Sequence, residues 1–211
     1  MNESPDDISV TSIGAPDFLA ALAALRCGKA AIFPTDTVYG IGVAVLRGAT
    51  PESIYSIKGR DSDKAIPWLV GSALALEDYA VDVPEYAYEL ARRFWPGALT
   101  LIVKASAAVP ATFRAQDGTI ALRVPDNPIA CALIEQLGVP IATSSANLQG
   151  NQPATSIESL DSGLLGADIP VVDGGSTPGP VPSTIVSCLG ERPEILREGV
   201  LSEHEIINVI S

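Results

Sequence analysis

Apolar residues along the chain alternate between stretches with helical spacing and short runs that end in polar turns. Pro16 opens a segment in which Phe18, Leu19, Leu22 and Leu25 repeat at helical spacing, and Gly28 stops it, so a helix is predicted there. A weak alternation over 8–12 reads as a short strand before it. Residues 30–33 form a second, buried strand that runs straight into Pro34, Thr35, Asp36 and Thr37, a polar turn at a strand end and a good place for a ligand. Thr50, Pro51 and Glu52 read as a cap, a first-turn proline and an acid matched to the helix dipole. The predicted helix over 51–58 therefore delivers Lys58, Gly59 and Arg60 at its end.

Beyond this point a strand is predicted over 66–70, helices over 72–79 and 84–94, a break at Trp95, Pro96 and Gly97, and a strand over 99–103. A strand over 119–124 ends at Pro125. Asp126 is the expected cap of a helix through Leu137, which Gly138 closes ahead of a strand over 140–142. A polar loop over 143–151 follows. After 169–172 come Asp173, Gly174, Gly175 and a Pro/Gly-rich stretch to Pro182, then strands near 183–187 and 194–196. Ser202 and Glu205 form a capping box for a last helix. Strands and helices alternate without internal repeat, which predicts an α/β fold.

Composition narrows the class. The 211 residues are 47% hydrophobic but only 5% aromatic, so one aliphatic core is expected within a single domain over 1–211, its core over about 15–200 and 1–7 a flexible start. A formal charge of -12 argues against a surface built to hold nucleic acid, so contact with RNA is at most transient and any anion site must concentrate the 13 basic residues locally. Cys27, Cys131 and Cys188 form no Cys-x-x-Cys pair and are expected to be plain buried or half-buried thiols. No secretory signal and no apolar run long enough to span a membrane is seen, which makes the expected location cytoplasmic.

Several local signals carry chemistry, each with an ordinary alternative. Gly40, Ile41 and Gly42 are a fragment of a nucleotide-type glycine pattern, better read as tight backbone packing. His204 is the only histidine and sits near a helix cap, so a histidine triad or zinc site is excluded. Lys58, Arg60 and Lys64 form the densest positive patch, an anion site or a surface cluster offset by Asp61 and Asp63. Arg123 and Arg197 each end a predicted strand, where α/β sheets gather ligands, or are ordinary salt-bridged arginines. Residues 143–147 are rich in donors suited to phosphate or carboxylate, or form a capped turn.

Taken together and in order, residues 33–42, Lys58-Gly59-Arg60, Pro96-Gly97, residues 121–125, Ser145-Ala146-Asn147, residues 182–186 and residues 196–199 resemble the YrdC-like family, in its short single-domain form. The resemblance implies a twisted mixed β-sheet with flanking helices around a concave, positively lined cavity. It implies a nucleotidyltransferase, an L-threonylcarbamoyladenylate synthase that condenses L-threonine, bicarbonate and ATP, with magnesium, to threonylcarbamoyl-AMP and pyrophosphate. The product would pass to a tRNA threonylcarbamoyl transferase complex acting on tRNAs that read codons beginning with adenine. It places the chemistry on Lys58, Arg60, Ser145 and Asn147, with Arg60, Lys64, Thr119, Ser145 and Arg197 on the ATP and Thr37, Arg123, Thr143 and Ser183 on the threonine. No residue is implied as a metal ligand, since magnesium prefers phosphate and water. Two alternatives stay open: a carbamoyl-adenylating domain using carbamoyl phosphate, and a non-enzymatic RNA-binding module.

Overall fold

The structure is a computed structural model that describes residues 13–59, 66–166 and 168–210. The strand expected over 8–12 lies outside the described residues. In chain order the elements are α1 (Pro16–Arg26), β1 (Ala31–Phe33), β2 (Gly40–Ala44), α2 (Glu52–Lys58), β3 (Trp68–Leu69), α3 (Ala75–Tyr79), β4 (Ala80–Val81), α4 (Glu85–Phe94) and β5 (Leu99–Ala105). They continue with β6 (Thr119–Arg123), α5 (Pro128–Leu137), β7 (Ile141–Ser145), α6 (Ser162–Leu165), β8 (Thr184–Ser187), β9 (Glu194–Arg197) and α7 (Glu203–Val209).

The strands build one mixed, nine-stranded sheet in the order β1-β2-β7-β3-β6-β5-β8-β9, with β4 on β5. Pairing is antiparallel except for β3 with β6 and β5 with β8. The α/β alternation and the flanking helices are as the sequence pattern predicts.

Side chains along a strand point alternately to the two faces, and this parity decides what each face becomes. Ile41, Val43, Trp68, Leu101, Val103, Leu122 and Val186 lie in one large buried cluster. On the opposite face Ala31, Phe33, Leu69 and Ile141 pack against Phe18, Leu22 and Leu25 of α1 and Ile129 and Leu133 of α5. Arg123 is the register partner of Leu69 and Ile185 that of Thr100, while Thr143 stands two residues beyond Ile141, so these side chains share that second face. Around them the face is a cleft.

Some local expectations need correcting. The helix over 128–137 is capped by Asn127, not Asp126: its side chain accepts from the Ile129 and Ala130 N–H groups at 3.0 and 3.1 Å. No side-chain cap from Thr50 is made at α2, where Pro51 is the boundary residue. The polar loop starts later than expected, because Thr143 to Ser145 continue β7 and pair with Gly42 to Gly40. β2 itself was not predicted. A Cβ on Gly40 would come within 2.6 Å of Thr143 Cγ2, and one on Gly42 within 2.6 Å of Ile141 Cγ2, so the glycines serve close strand packing. Cys27 and Cys131 are exposed, unlike Cys188, because they fall on solvent-facing positions of α1's end and of α5.

Candidate active site

The uncovered part of the second face holds a cleft of about 330 Å³, walled by the ends of β2, β3, β5, β6, β7 and β8. Six of the residues singled out from sequence meet in its wall: Thr37, Arg123, Thr143, Ser145, Ser183 and Arg197.

Arg123 ends β6 and is only 6% exposed. Its Nε donates to the Gly97 carbonyl at 3.0 Å, Nη1 to Thr37 Oγ1 at 3.3 Å, and Nη2 lies 2.6 Å from Asp36 Oδ1, an ion pair off the line of a hydrogen bond. The Pro96-Gly97 turn thus has a purpose: Gly97 N–H bonds the Val124 carbonyl while its own carbonyl fixes Arg123. Thr35 organises the other side, since its hydroxyl donates to the Val38 carbonyl at 2.7 Å and accepts from the Thr37 and Val38 N–H groups. Tyr39 ties this turn to the 173–175 loop, donating to the Gly175 carbonyl at 2.8 Å and accepting from the Gly174 N–H. Burial pushes its phenol up to about 12.

Across the cleft Arg197 ends β9. Its Nη2 donates to the Ser183 carbonyl at 2.8 Å and to Ser183 Oγ at 3.3 Å, and Ser183 Oγ lies 2.9 Å from Thr100 Oγ1. Arg197 is exposed as a residue, yet the cleft wall partly desolvates its guanidinium; that desolvation, then the charge of Arg123, lowers its pKa. Two cations therefore face one cavity.

Lys58 and Asn147 stand behind Ser145 and outside the cleft wall. The Lys58 ammonium donates to the Ser145 carbonyl, to the Asn147 carbonyl at 2.7 Å and to Asn147 Oδ1 at 3.2 Å, and the residue is 4% exposed. Ser145 Oγ donates to the same Oδ1 at 2.5 Å. Lys58 is thus a strut of the loop that presents Ser145, with its positive charge just behind the wall. Thr119 lies at the far end of β6, about 13 Å along a strand from Arg123, and gives its hydroxyl to Asp117 at 2.7 Å. The structure does not bring it into the wall. Arg60 and Lys64 lie outside the described residues.

Two carboxylates were assigned no role by sequence reasoning. Asp36 sits inside a recognisable turn, but nothing in the pattern says that it meets Arg123. Asp161 lies outside every motif and carries no sequence signal. Among the described residues no cluster of three or more His, Cys, Asp or Glu can hold a metal, and no helix is long and apolar enough to cross a membrane.

The model of the Sua5, YciO and YrdC family, described as telomere recombination, matches residues 23–199. The chain belongs to this family. Among its Sua5, YciO and YrdC relatives, the threonylcarbamoyl-AMP synthase of Bacillus subtilis is 41% identical over 197 residues, covering 92% of this chain and 57% of that protein. A putative threonylcarbamoyl-AMP synthase of Mycobacterium tuberculosis is 37% identical, covering 91% and 88%. The crystal structure of P. abyssi Sua5 complexed with L-threonine superposes with a TM-score of 0.84 at 35% identity, covering all of this chain and 59% of that one. The chain therefore spans under two thirds of the B. subtilis and P. abyssi proteins and most of the M. tuberculosis one.

Proposed function

We propose that this protein is a threonylcarbamoyl-AMP synthase, a nucleotidyltransferase that joins L-threonine, bicarbonate and ATP with release of pyrophosphate. The observation that carries the reading is the cleft itself: a buried, oriented arginine at one end, a second arginine across from it, and hydroxyls between them. A planar guanidinium held at three points is suited to grip a carboxylate by two parallel hydrogen bonds, so Arg123 takes the threonine carboxylate. Thr37, Thr143 and Ser183 supply neutral partners around the amino acid.

In the reaction, the threonine amine adds to carbon dioxide derived from bicarbonate, and a carbamate oxygen then attacks the α-phosphorus of ATP as pyrophosphate leaves. Both reactants are anionic, so fixed positive charge lowers the barrier most where phosphate charge develops. Arg197 faces the cleft for this purpose, and the family resemblance assigns Arg60 and Lys64 to the phosphates; Thr119, outside the wall with its hydroxyl on Asp117, takes no part in this reading. Lys58 fixes Ser145 and Asn147 and adds charge behind them. Magnesium accompanying ATP would be held by phosphate and water oxygens and would neutralise phosphate charge, which suits a wall of hydroxyls and guanidinium groups with Asp36 already paired. The product serves a tRNA threonylcarbamoyl transferase complex in the cytoplasm, where the acidic surface leaves the tRNA itself to that partner.

The test is mass detection of threonylcarbamoyl-AMP with matching pyrophosphate release. Formation that requires threonine, bicarbonate and ATP-magnesium together supports the reading. Release that needs carbamoyl phosphate instead, or tight tRNA binding at physiological salt with no release, overturns it.

A further inference from the structure

The loop that follows β7 is closed from outside by one carboxylate. Asp161 Oδ2 accepts from the Leu148 N–H at 2.7 Å, and Oδ1 accepts from Asn151 Nδ2 at 2.8 Å. Those two residues also serve Asn147, whose Nδ2 donates to the Leu148 carbonyl at 2.9 Å and the Asn151 carbonyl at 2.8 Å. This double use decides how the Asn147 amide faces: its NH2 must meet two carbonyls, which leaves Oδ1 to receive the Lys58 ammonium and the Ser145 hydroxyl. The Gln149 N–H closes the circuit on the Lys58 carbonyl at 3.1 Å.

Asp161 is half-buried and does not touch the cleft. Hydrogen bonds from Leu148 and Asn151 hold its carboxyl below the usual range, with a smaller contribution from the charge of Lys58. An ionised acceptor binds such N–H groups about twice as strongly as a neutral one. If the loop shifted outward, Asn147 would lose both carbonyls at once, and Lys58 and Ser145 would lose their shared acceptor.

We propose that Asp161 is a positioning residue for the reaction: it clamps the 148–151 segment so that Asn147 holds Ser145 at the cleft wall and Lys58 just behind it. The proposal rests on the assignment of chemistry to Lys58, Ser145 and Asn147. It follows from six linked hydrogen bonds, two at Asp161, two from Asn147 Nδ2 and two at Asn147 Oδ1.

Asp161→Ala, Asp161→Asn, Asn147→Ala, Lys58→Ala and the double variant Asp161→Ala/Asn147→Ala are compared in the full chain. Pyrophosphate release with all three substrates, calorimetric titration of L-threonine and amide exchange at Leu148 are measured. Asp161→Ala is expected to lower kcat about tenfold, below the roughly hundredfold loss that a 1 Å misplacement brings. L-threonine affinity stays within about twofold, because Arg123 is untouched, and Asp161→Asn falls between Asp161→Ala and the wild type. The Leu148 amide exchanges faster while amides of β5 do not change. The double variant is no slower than Asn147→Ala alone, since both changes act through one contact. A near-normal kcat in Asp161→Ala beside crippled Lys58→Ala and Asn147→Ala overturns the role of Asp161 alone. So does a strictly multiplicative double variant. Normal rates in Lys58→Ala and Asn147→Ala overturn the underlying assignment, and the role of Asp161 with it.

Discussion

The two arginines that face the cleft end neighbouring regions of one sheet, yet they are held in opposite ways. Arg123 is buried, its guanidinium committed to a carboxylate, a carbonyl and a threonine hydroxyl. Arg197 is exposed and held only by the neutral oxygens of Ser183, with no ion pair among the described residues. Burial demands a counter-charge, and the counter-charge fixes orientation while cancelling much of the long-range field. The exposed arginine keeps its field but not a fixed pose. The difference predicts a division of labour: Arg123 recognises shape and bond geometry at the threonine end, and Arg197 supplies charge toward the phosphates.

The sharpest way to break that comparison is Arg123→Ala. It removes the fork and leaves the buried Oδ1 of half-buried Asp36 without its partner, so kcat/KM for threonine should fall more than about a hundredfold, given that a charge-assisted bidentate pair contributes several kcal/mol. The requirement for ATP should change far less. Steady-state kinetics with each substrate varied decides it, and a larger effect on ATP would show that the two ends are exchanged.

Asp36→Asn tests the counter-charge without changing the shape of the turn. Removing one partner of a buried ion pair typically costs about 3 kcal/mol, so the urea midpoint should drop by that equivalent. The KM for threonine should rise about tenfold as Arg123 loses its fixed orientation. Full threonine affinity in a destabilised variant would mean that Asp36 supports the fold alone.

How far this arrangement could be read from sequence depends on which contacts are local. The positions of Lys58 and Arg123 are legible because each ends a predicted helix or strand, that of Ser145 because it stands in a recognisable string, and the alternating pattern places most of the strands. β2 was missed since Gly40 and Gly42 have no side chains to show a period of two. Thr143 to Ser145 looked like loop because hydroxyl residues face a cleft there instead of a core. Parity along β7 would have revealed it, had the register with β2 been known. Asp161 stayed hidden for a plainer reason: its contacts are made by its carboxylate to a backbone N–H and an amide on a loop 13 and 10 residues earlier, a pairing that no periodicity encodes.

A smaller effect is expected at the exposed arginine. Arg197→Ala should raise the KM for ATP about tenfold, the lower end of what losing one charged hydrogen bond costs, and leave threonine nearly unchanged. Because the Debye length is about 8 Å at physiological ionic strength, added salt should weaken ATP use in the wild type and do so less in this variant. Equal salt dependence in both would remove Arg197 from the phosphate side. Arg197→Lys, which keeps charge but not the fork, should recover most of the loss, whereas the same exchange at Arg123 should not.

The smallest effect is expected at Tyr39, a neutral strut beside the Arg123 corner. Its hydroxyl joins the 174–175 loop to β2, and Tyr39→Phe should cost about 1 kcal/mol at neutral pH, the net worth of such a hydrogen bond. The folded phenol titrates at about 12, chiefly through burial, against 10.0 in the unfolded chain. A raised pKa means that its stabilisation is complete below pH 10 and drains between 10 and 12, as the unfolded state sheds its proton first. By pH 11 the wild type should have lost about 1.4 kcal/mol through this one group, while Tyr39→Phe retains the losses from Tyr79 and Tyr86 but not this one. Urea midpoints measured from pH 9 to 11 should therefore converge for the two proteins. Parallel curves would place the phenol's environment, and with it the rigidity of the turn that carries Thr37, outside the buried corner that Arg123 requires.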